Sequence, residues 1–347
     1  AYHSANFSRS PEQKLSFSLR DHLLWQATLE KLNQIPETDS TYAQAQTKYQ
    51  QYQGLLSTAQ GKLDTADNAF LRAIISDTGL DPQQVHISLC QIGAQPTNIA
   101  EQIGERINFS SNSRNCYHHQ GDQQMASPAS LIKLPIAIAL MDKLTREEIP
   151  LTQKIYIDPQ NFTENAEGIG IEVDQEYPLD QVMARMLGES NNIATNQLID
   201  YIGRENIAQT MVNRGYENTL VDHKLAGDRI LPPNPGTQSN QSTTDDITRM
   251  LAQIYGLEHP GDEELLIALY GQRDQELGHQ ALKNLGADIE WLGEKTGQND
   301  RMIGTTLAMR IGKKRYALTV ALNYSSDPIA IREIIENTAL HLLSRWP

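Results

Sequence analysis

Between Leu131 and Met141 a single side chain carries charge, Lys133. Leu131, Ile132, Leu134, Ile136, Ala137, Ile138, Ala139, Leu140 and Met141 form an almost wholly apolar stretch, and a helix apolar on nearly all sides is a buried one. Pro135 fits a helix only near its first turn, so the helix starts close to Ser127-Pro128-Ala129. A lysine alone in such a helix is costly unless it is paired or used. Desolvation lowers an amine's pKa, and a buried lysine then serves as a base near neutral pH. Ser130 stands three residues before Lys133, on the same helix face. It also stands at a helix N-terminus, where backbone dipoles favour developing negative charge. A serine hydroxyl is a weak nucleophile that needs an adjacent base. The bland alternative is a capping serine beside a snorkelling lysine.

Two further motifs follow in order. Ser190-Asn191-Asn192 joins an amphipathic stretch, Pro178 to Leu187, to a second one, Ile193 to Ile202. Alone it reads as helix capping. Beside a serine–lysine pair, a second hydroxyl offers a proton shuttle and Asn192 an orienting amide. Lys295-Thr296-Gly297 precedes two strand-like runs, Met302 to Ile311 and Tyr316 to Asn323, joined by a turn at Gly312-Lys313-Lys314. This reads as an antiparallel meander with the motif on its first strand. There Lys295 and Thr296 can hold a carboxylate, and Gly297 lets a ligand lie close to the backbone. Arg301 reads as a strand-edge residue within reach of the same carboxylate.

The ordered set Ser130-Leu131-Ile132-Lys133, Ser190-Asn191-Asn192 and Lys295-Thr296-Gly297 resembles the class A β-lactamase and penicillin-recognising serine hydrolase family, from about Leu63 to the C-terminus. Ala129 to Pro135 and Asn192 to Asn196 share that local character. The resemblance implies an α+β fold: an antiparallel sheet flanked by N- and C-terminal helices plus an all-helical subdomain. It implies a serine acyl-transfer hydrolase in which Ser130 attacks a β-lactam or D-alanyl amide and Lys133 activates it. Ser190 relays the proton, Asn192 touches the substrate's side-chain amide, and Lys295 and Thr296 bind its carboxylate. The backbone N–H groups of Ser130 and Gln298 form the oxyanion hole. In class A enzymes a loop between the second and third motifs carries a Glu that directs water onto the acyl-enzyme. The matching stretch, Glu217 to Asp228, lacks the Glu-x-x-x-Asn pattern and has Lys224 and Leu225 near that place, with Asp222 and Asp228 the nearest acids. Alternatives follow from that departure: a penicillin-binding DD-peptidase-like enzyme with slow deacylation, or a non-catalytic module that binds cell-wall peptide.

The net charge of −14, from 43 acidic and 29 basic residues, argues against nucleic acid or an anionic membrane surface as partner. The expected partner is a small-molecule β-lactam or a peptidoglycan stem peptide. No apolar run is long enough for a transmembrane segment. The resemblance implies a periplasmic or otherwise exported protein. Cys90 and Cys116 are the two cysteines, and a disulfide and two free thiols both remain open. Cysteine zinc chemistry is excluded, and no Gly-rich phosphate loop is present, since Gly168-Ile169-Gly170 lacks a following helix and a third glycine. No metal and no cofactor are expected. His118-His119 point to opposite faces of a strand and read as surface.

Residues 1–61 form an N-terminal extension and residues 62–347 the hydrolase-like domain. In the extension, Leu15 to Ile35 and Tyr42 to Ala59 carry helical spacing, with Pro36 to Ser40 between them and Ser40 or Thr41 as cap, an αα-hairpin. A third helix spans Thr65 to Ser76, and a last one Asp327 to Leu343. Gly227 to Thr244 is an extended surface loop, ending at a helix start, Thr243 to Asp246.

Overall fold

The computed structural model describes residues 28–29, 31–32, 35–36, 39, 41–53, 68–93, 116–164, 170–227 and 229–345. Two compact units divide the chain, Ala1–Phe70 and Leu71–Pro347. In the smaller unit residues 42–53 are helical, and the Asp39 carboxylate accepts the Thr41 N–H at 2.8 Å, which fixes the start of that helix. Most of the expected first hairpin helix, the expected cap Ser40, residues 54–59 and the expected boundary at residues 61 and 62 lie outside the described residues.

In the larger unit α1 (Ala69–Thr78) buries Leu71, Ile74 and Ile75. β1 (Val85–Ile92) and β2 (Cys116–His119) follow. Next come α2 (Lys133–Arg146), a small antiparallel pair of β3 (Lys154–Tyr156) with β4 (Glu176–Pro178), α3 (Leu179–Gly188), α4 (Asn192–Ile202) and α5 (Arg204–Asn213). α6 (Thr244–Gly256), α7 (Asp262–Tyr270) and the short α8 (Gly278–Leu282) lead into β5 (Ile289–Asn299), β6 (Met302–Ile311) and β7 (Lys314–Asn323). The last helix is α9 (Pro328–Arg345). The β3–β4 pair has no counterpart in the sequence reading, because three residues per strand are too few for a periodic signal.

The main sheet is antiparallel with strand order β2-β1-β7-β6-β5. The expected meander is β5, β6 and β7. Nearly every position of β1, β6 and β7 is buried, which requires cover on both faces of the sheet. α6 packs on β1, β6 and β7, and α9 packs on β6 and β7. A polar seam lies inside this packing: Thr248 Oγ1 donates to Thr319 Oγ1 at 2.6 Å, and Thr306 and Thr319 share a bond at 2.8 Å. The Thr243 hydroxyl accepts the Asp246 N–H at 3.2 Å and caps α6, as the sequence predicts. None of the described helices is long and apolar enough to cross a membrane.

α2 is the centre of the helical part and touches α3, α4, α5, α6 and α7. Leu131 to Met141 are all buried, Lys133 among them. The expected helix start needs one refinement. Ala129–Ile132 form a 3₁₀ turn and the α-helix proper begins at Lys133. Pro135 has no N–H to give the Leu131 carbonyl, so the first turn tightens.

Cys90 faces Cys116 across β1 and β2, and the two are joined in a disulfide with Cα atoms 4.1 Å apart. Pairing of the strands decides between the two alternatives the sequence left open. The histidine pair is not simple surface. His118 Nδ1 meets the Asp245 carboxylate at 2.9 Å and His119 Nε2 the Pro82 carbonyl at 2.9 Å, both half-buried. They point to different neighbours, as strand alternation requires. Residues 229–243 contain no helix or strand, in keeping with the expected loop. Reducing the disulfide reopens a 26-residue separation, which costs about 3 kcal/mol of loop-closure entropy. The melting temperature measured by calorimetry is expected to fall by about 5–10 °C on reduction. An unchanged transition after verified reduction would show that the bridge adds nothing.

Candidate active site

Two separate segments converge on one nitrogen. Lys133 Nζ lies 2.8 Å from Ser130 Oγ, 2.6 Å from the Ser190 carbonyl, 2.8 Å from Ser190 Oγ and 2.8 Å from Asn192 Oδ1. Each partner sits where it does for a local reason. Ser130 rides the 3₁₀ turn ahead of α2, three residues from Lys133. Ser190 lies in the link between α3 and α4 with φ of 56°, a left-handed conformation. That turn is locked by Asn191, whose side chain accepts the Ala194 N–H at 2.8 Å as N-cap of α4. Asn192 is then the first residue of α4 and faces the lysine.

Lys133 is fully buried, and burial, seconded by the nearby Lys295 charge, holds its pKa well below the usual lysine value. Lys295 is also fully buried and donates to Ser190 Oγ at 3.2 Å and to the Thr296 carbonyl at 2.8 Å. Burial lowers its pKa to about 8, against the opposing pull of Asp274 and Glu294. The Ser190 hydroxyl therefore lies between two lysine nitrogens. Glu294, next to Lys295 on β5, accepts from the Gly278 N–H at 2.8 Å, the His279 N–H at 3.2 Å and Thr305 Oγ1 at 2.9 Å. Burial raises its pKa to about 7.

β5 closes the site from the other side. A Cβ placed on Gly297 would lie 3.0 Å from the backbone nitrogens of both Ser130 and Leu131. Only a glycine lets the strand come this close to the turn that carries Ser130. A cavity of about 370 Å³ opens here, lined by Ser130, Ser190, Thr296, Gly297 and Gln298 together with Gly188, Glu189, Gln272, Arg273 and Asp274. Thr296 is not idle in it. Its hydroxyl donates to Asp274 Oδ2 at 2.7 Å and accepts from Gln272 Nε2 at 3.2 Å. Arg301 is exposed in the turn between β5 and β6 and does not line this cavity.

One helical turn beyond Asn192, Asn196 clasps the loop that follows α5. Its Nδ2 donates to the Leu225 carbonyl at 2.9 Å, and its Oδ1 accepts the Leu225 N–H at 2.7 Å. Lys224 does not line the cavity and is buried, with Nζ donating to Asp200 and Asn161 at 2.8 Å each. Asp222 accepts the backbone N–H groups of Thr237 and Gln238, both at 2.6 Å. Asp228 lies outside the described residues. Among the described residues no group of three or more His, Cys, Asp or Glu is placed to hold a metal ion.

The sequence model of the beta-lactamase enzyme family matches residues 98–346. The chain belongs to that family. Its fold is that of solved β-lactamase-family structures. A point mutant of PBP-A, in an acyl-enzyme complex with penicillin G, is similar at a TM-score of 0.62 and 20% identity, over 80% of this chain and 97% of that one. A β-lactamase from Sphaerobacter thermophilus gives 0.61 and 19%, over 80% and 98%. The TLA-3 extended-spectrum β-lactamase gives 0.62 and 15%, over 79% and 98%. No curated protein matches the chain. By family and fold the protein is a serine hydrolase of the β-lactamase type.

Within this family member, the residues singled out from the sequence come together. Ser130, Lys133, Ser190, Asn192 and Lys295 form one hydrogen-bonded chain, and Thr296, Gly297 and Gln298 line the cavity beside Ser130. Sequence reasoning missed Glu189, Gln272, Arg273 and Asp274. The Arg185 and Glu189 pair is legible as an i,i+4 spacing on α3. The stretch Gln272 to Asp274 lies after α7 with no periodicity to mark it.

Replacing Asn196 with Ala removes both bonds to Leu225 and leaves that backbone group without a partner. We expect a loss of about 1–3 kcal/mol, with faster exchange of the Leu225 amide hydrogen. Unchanged exchange at that amide would show the clasp to be dispensable.

Proposed function

We propose that the protein is a serine acyl-transfer hydrolase that opens a β-lactam or cleaves a D-alanyl amide through an acyl-enzyme on Ser130. The observation that carries this reading is the 2.8 Å contact between Ser130 Oγ and the fully buried Lys133 Nζ. A lysine kept from its usual protonation is neutral at a pH where an exposed one is charged, so Nζ accepts the hydroxyl proton as Oγ attacks. The Oγ–carbon bond forms, the amide carbon–nitrogen bond breaks, and the leaving nitrogen takes a proton through Ser190 Oγ, which contacts both Lys133 and Lys295. Asn192 orients the acyl side chain. Lys295, Thr296, Gly297 and Gln298 form the wall along which the substrate lies, and the backbone N–H groups of Ser130 and Gln298 hold the oxyanion.

Deacylation is slow in this reading. The loop residue held one turn from Asn192 is Leu225, an alkyl side chain that directs no water. A long-lived adduct of the penicillin-binding kind follows, with a stem-peptide D-alanyl amide as the physiological counterpart. We place the enzyme in an exported, oxidising compartment, supported by the Cys90–Cys116 disulfide.

Incubation with a labelled penicillin, followed by intact mass, tests the reading. An adduct mapped to Ser130, absent in Ser130→Ala and formed about 10²–10⁴-fold more slowly in Lys133→Ala, is expected. The adduct persists in the wild type and clears faster in Leu225→Glu. A stable complex with no covalent adduct would overturn the hydrolase assignment in favour of a binding module. A fast-clearing wild-type adduct would reject slow deacylation.

The pH profile of acylation is a second check. The rate rises as Lys133 loses its proton, on a limb well below the ordinary lysine range. It falls for anionic substrates above about pH 8, where Lys295 loses its charge. A profile for an anionic substrate flat from pH 7 to pH 10 would contradict the role of Lys295.

A further inference from the structure

The turn that carries Ser130 is gripped by one end of the sheet. The Ala126 N–H donates to Asn323 Oδ1 at 2.9 Å. The Asn299 side chain donates to Ser127 Oγ at 2.8 Å, and that hydroxyl also accepts the Ala129 N–H at 3.2 Å. Asn323 ends β7 and Asn299 ends β5, and both pair with Met302, the first residue of β6. Between these grips and Ser130 lies Ala129, left-handed at φ 44°. The Leu131 N–H then closes on the Pro128 carbonyl at 3.0 Å. A shift at the start of this run is therefore passed along it, to the Ser130 hydroxyl and the Ser130 N–H together.

Asn323 is itself set by a buried histidine. Its Nδ2 donates to His86 Nε2 at 2.8 Å, and His86 Nδ1 meets the Gln120 carbonyl at 3.0 Å. The two ends of this chain are a backbone N–H and a backbone carbonyl, and neither can reverse. Ala126 gives a proton, so the amide oxygen of Asn323 faces it and the amide NH2 faces His86. Nε2 must therefore be bare, and Nδ1 must carry the proton that goes to Gln120. His86 and Asn323 are 3% and 8% exposed, so little water is at hand to replace a broken bond. Burial holds the imidazole's pKa below its ordinary value, and a charge on His119 at the end of β2 acts the same way, while the Gln120 carbonyl and Asp122 oppose them. A second proton, on Nε2, would face the Asn323 NH2, donor against donor.

We infer that Asn323, set by His86, is a positioning residue for Ser130, and that adding a proton to His86 releases the turn and slows acylation. This rests on the acyl-enzyme reading of Ser130. Neither residue lines the cavity, so both act through the backbone of residues 126 to 130. The leverage is large, because a misplacement of about 1 Å at a reacting atom costs on the order of 100-fold in rate.

Second-order acylation constants for a labelled penicillin, followed by intact mass from about pH 8 down to about pH 5, test the assignment across the histidine range. Each variant is read as a ratio to the wild type at the same pH, so the titration of Lys133 cancels, and calorimetry reports whether each is folded. At the alkaline end Asn323→Ala is expected to acylate about 10- to 100-fold more slowly than the wild type. Its ratio then climbs in acid, where the wild type loses the same grip. His86→Gln offers an amide acceptor and donor with no proton to gain, so its ratio is expected to rise as the pH falls. Asn323→Asp keeps an acceptor for Ala126 but turns a second oxygen to His86, which suits only the doubly protonated ring, and its ratio is expected to rise most steeply. A merely structural role leaves the ratios flat with pH. A folded Asn323→Ala that acylates at the wild-type rate overturns the positioning role, and a flat ratio in both His86→Gln and Asn323→Asp overturns the release by a proton. Should Asn323→Ala fail to fold, the slope of the His86→Gln ratio decides alone. Failure of the wild type to be acylated overturns the acyl-enzyme reading and this assignment with it.

Discussion

The rest of the larger unit is arranged around one amine that water does not reach. An isolated charge moved from water into a protein interior costs several kcal/mol even after relaxation. Lys133 meets that cost in two ways: four oxygens lie within 2.8 Å of its nitrogen, and its proton is held less tightly than in water. Those oxygens come from the turn before α2, the link between α3 and α4, and the first residue of α4. Satisfying the lysine therefore ties together two segments nearly sixty residues apart, the turn before α2 and the link into α4. The left-handed Ser190, at φ 56°, is strained by about 1–3 kcal/mol, and persists because Asn191 and Lys133 hold both sides of it.

The sheet contributes position more than chemistry. β5 runs close against the turn that carries Ser130, and the approach is limited by backbone on both sides. At Gly297 even one added carbon meets two backbone nitrogens at 3.0 Å, so the cavity's width is set by the absence of a side chain. The turn itself is tight because Pro135, two residues into α2, has no N–H for Leu131. A local backbone constraint thus decides where the hydroxyl points relative to the strand.

Much of this was legible from residue order. The apolar helix with one lysine, the strand runs and the final helix each carry a periodic signal, and burial follows it: Leu131 to Met141 and nearly all of β6 are inside. Ser130, Lys133, Ser190 and Lys295 were legible because they stand in fixed short motifs. What stayed hidden depends on contacts across long separations. Asp274 reaches Thr296 over 22 residues, and Asn196 reaches Leu225 over 29. No local pattern encodes a side chain's reach to a distant backbone. The same holds for the disulfide, whose two cysteines become neighbours only once β1 and β2 pair.

The clasp on Leu225 separates two properties that are often coupled. Asn196 binds the N–H and the carbonyl of residue 225, groups that every residue except proline supplies. Lys224 and Asp222 anchor the loop through their own side chains to Asp200, Asn161 and the backbone of Thr237 and Gln238. The loop's path near the site is therefore held by backbone bonds as well as by the Leu225 side chain, which packs partly buried against the core. In the proposed mechanism acylation depends on Ser130, Lys133 and Ser190, none of which hydrogen-bonds that side chain. In the proposed mechanism the lifetime of the adduct is then set at a position whose backbone is clasped whatever the chemistry of its side chain. In that mechanism the choice between trapping a substrate and turning it over rests on the chemistry of one loop residue.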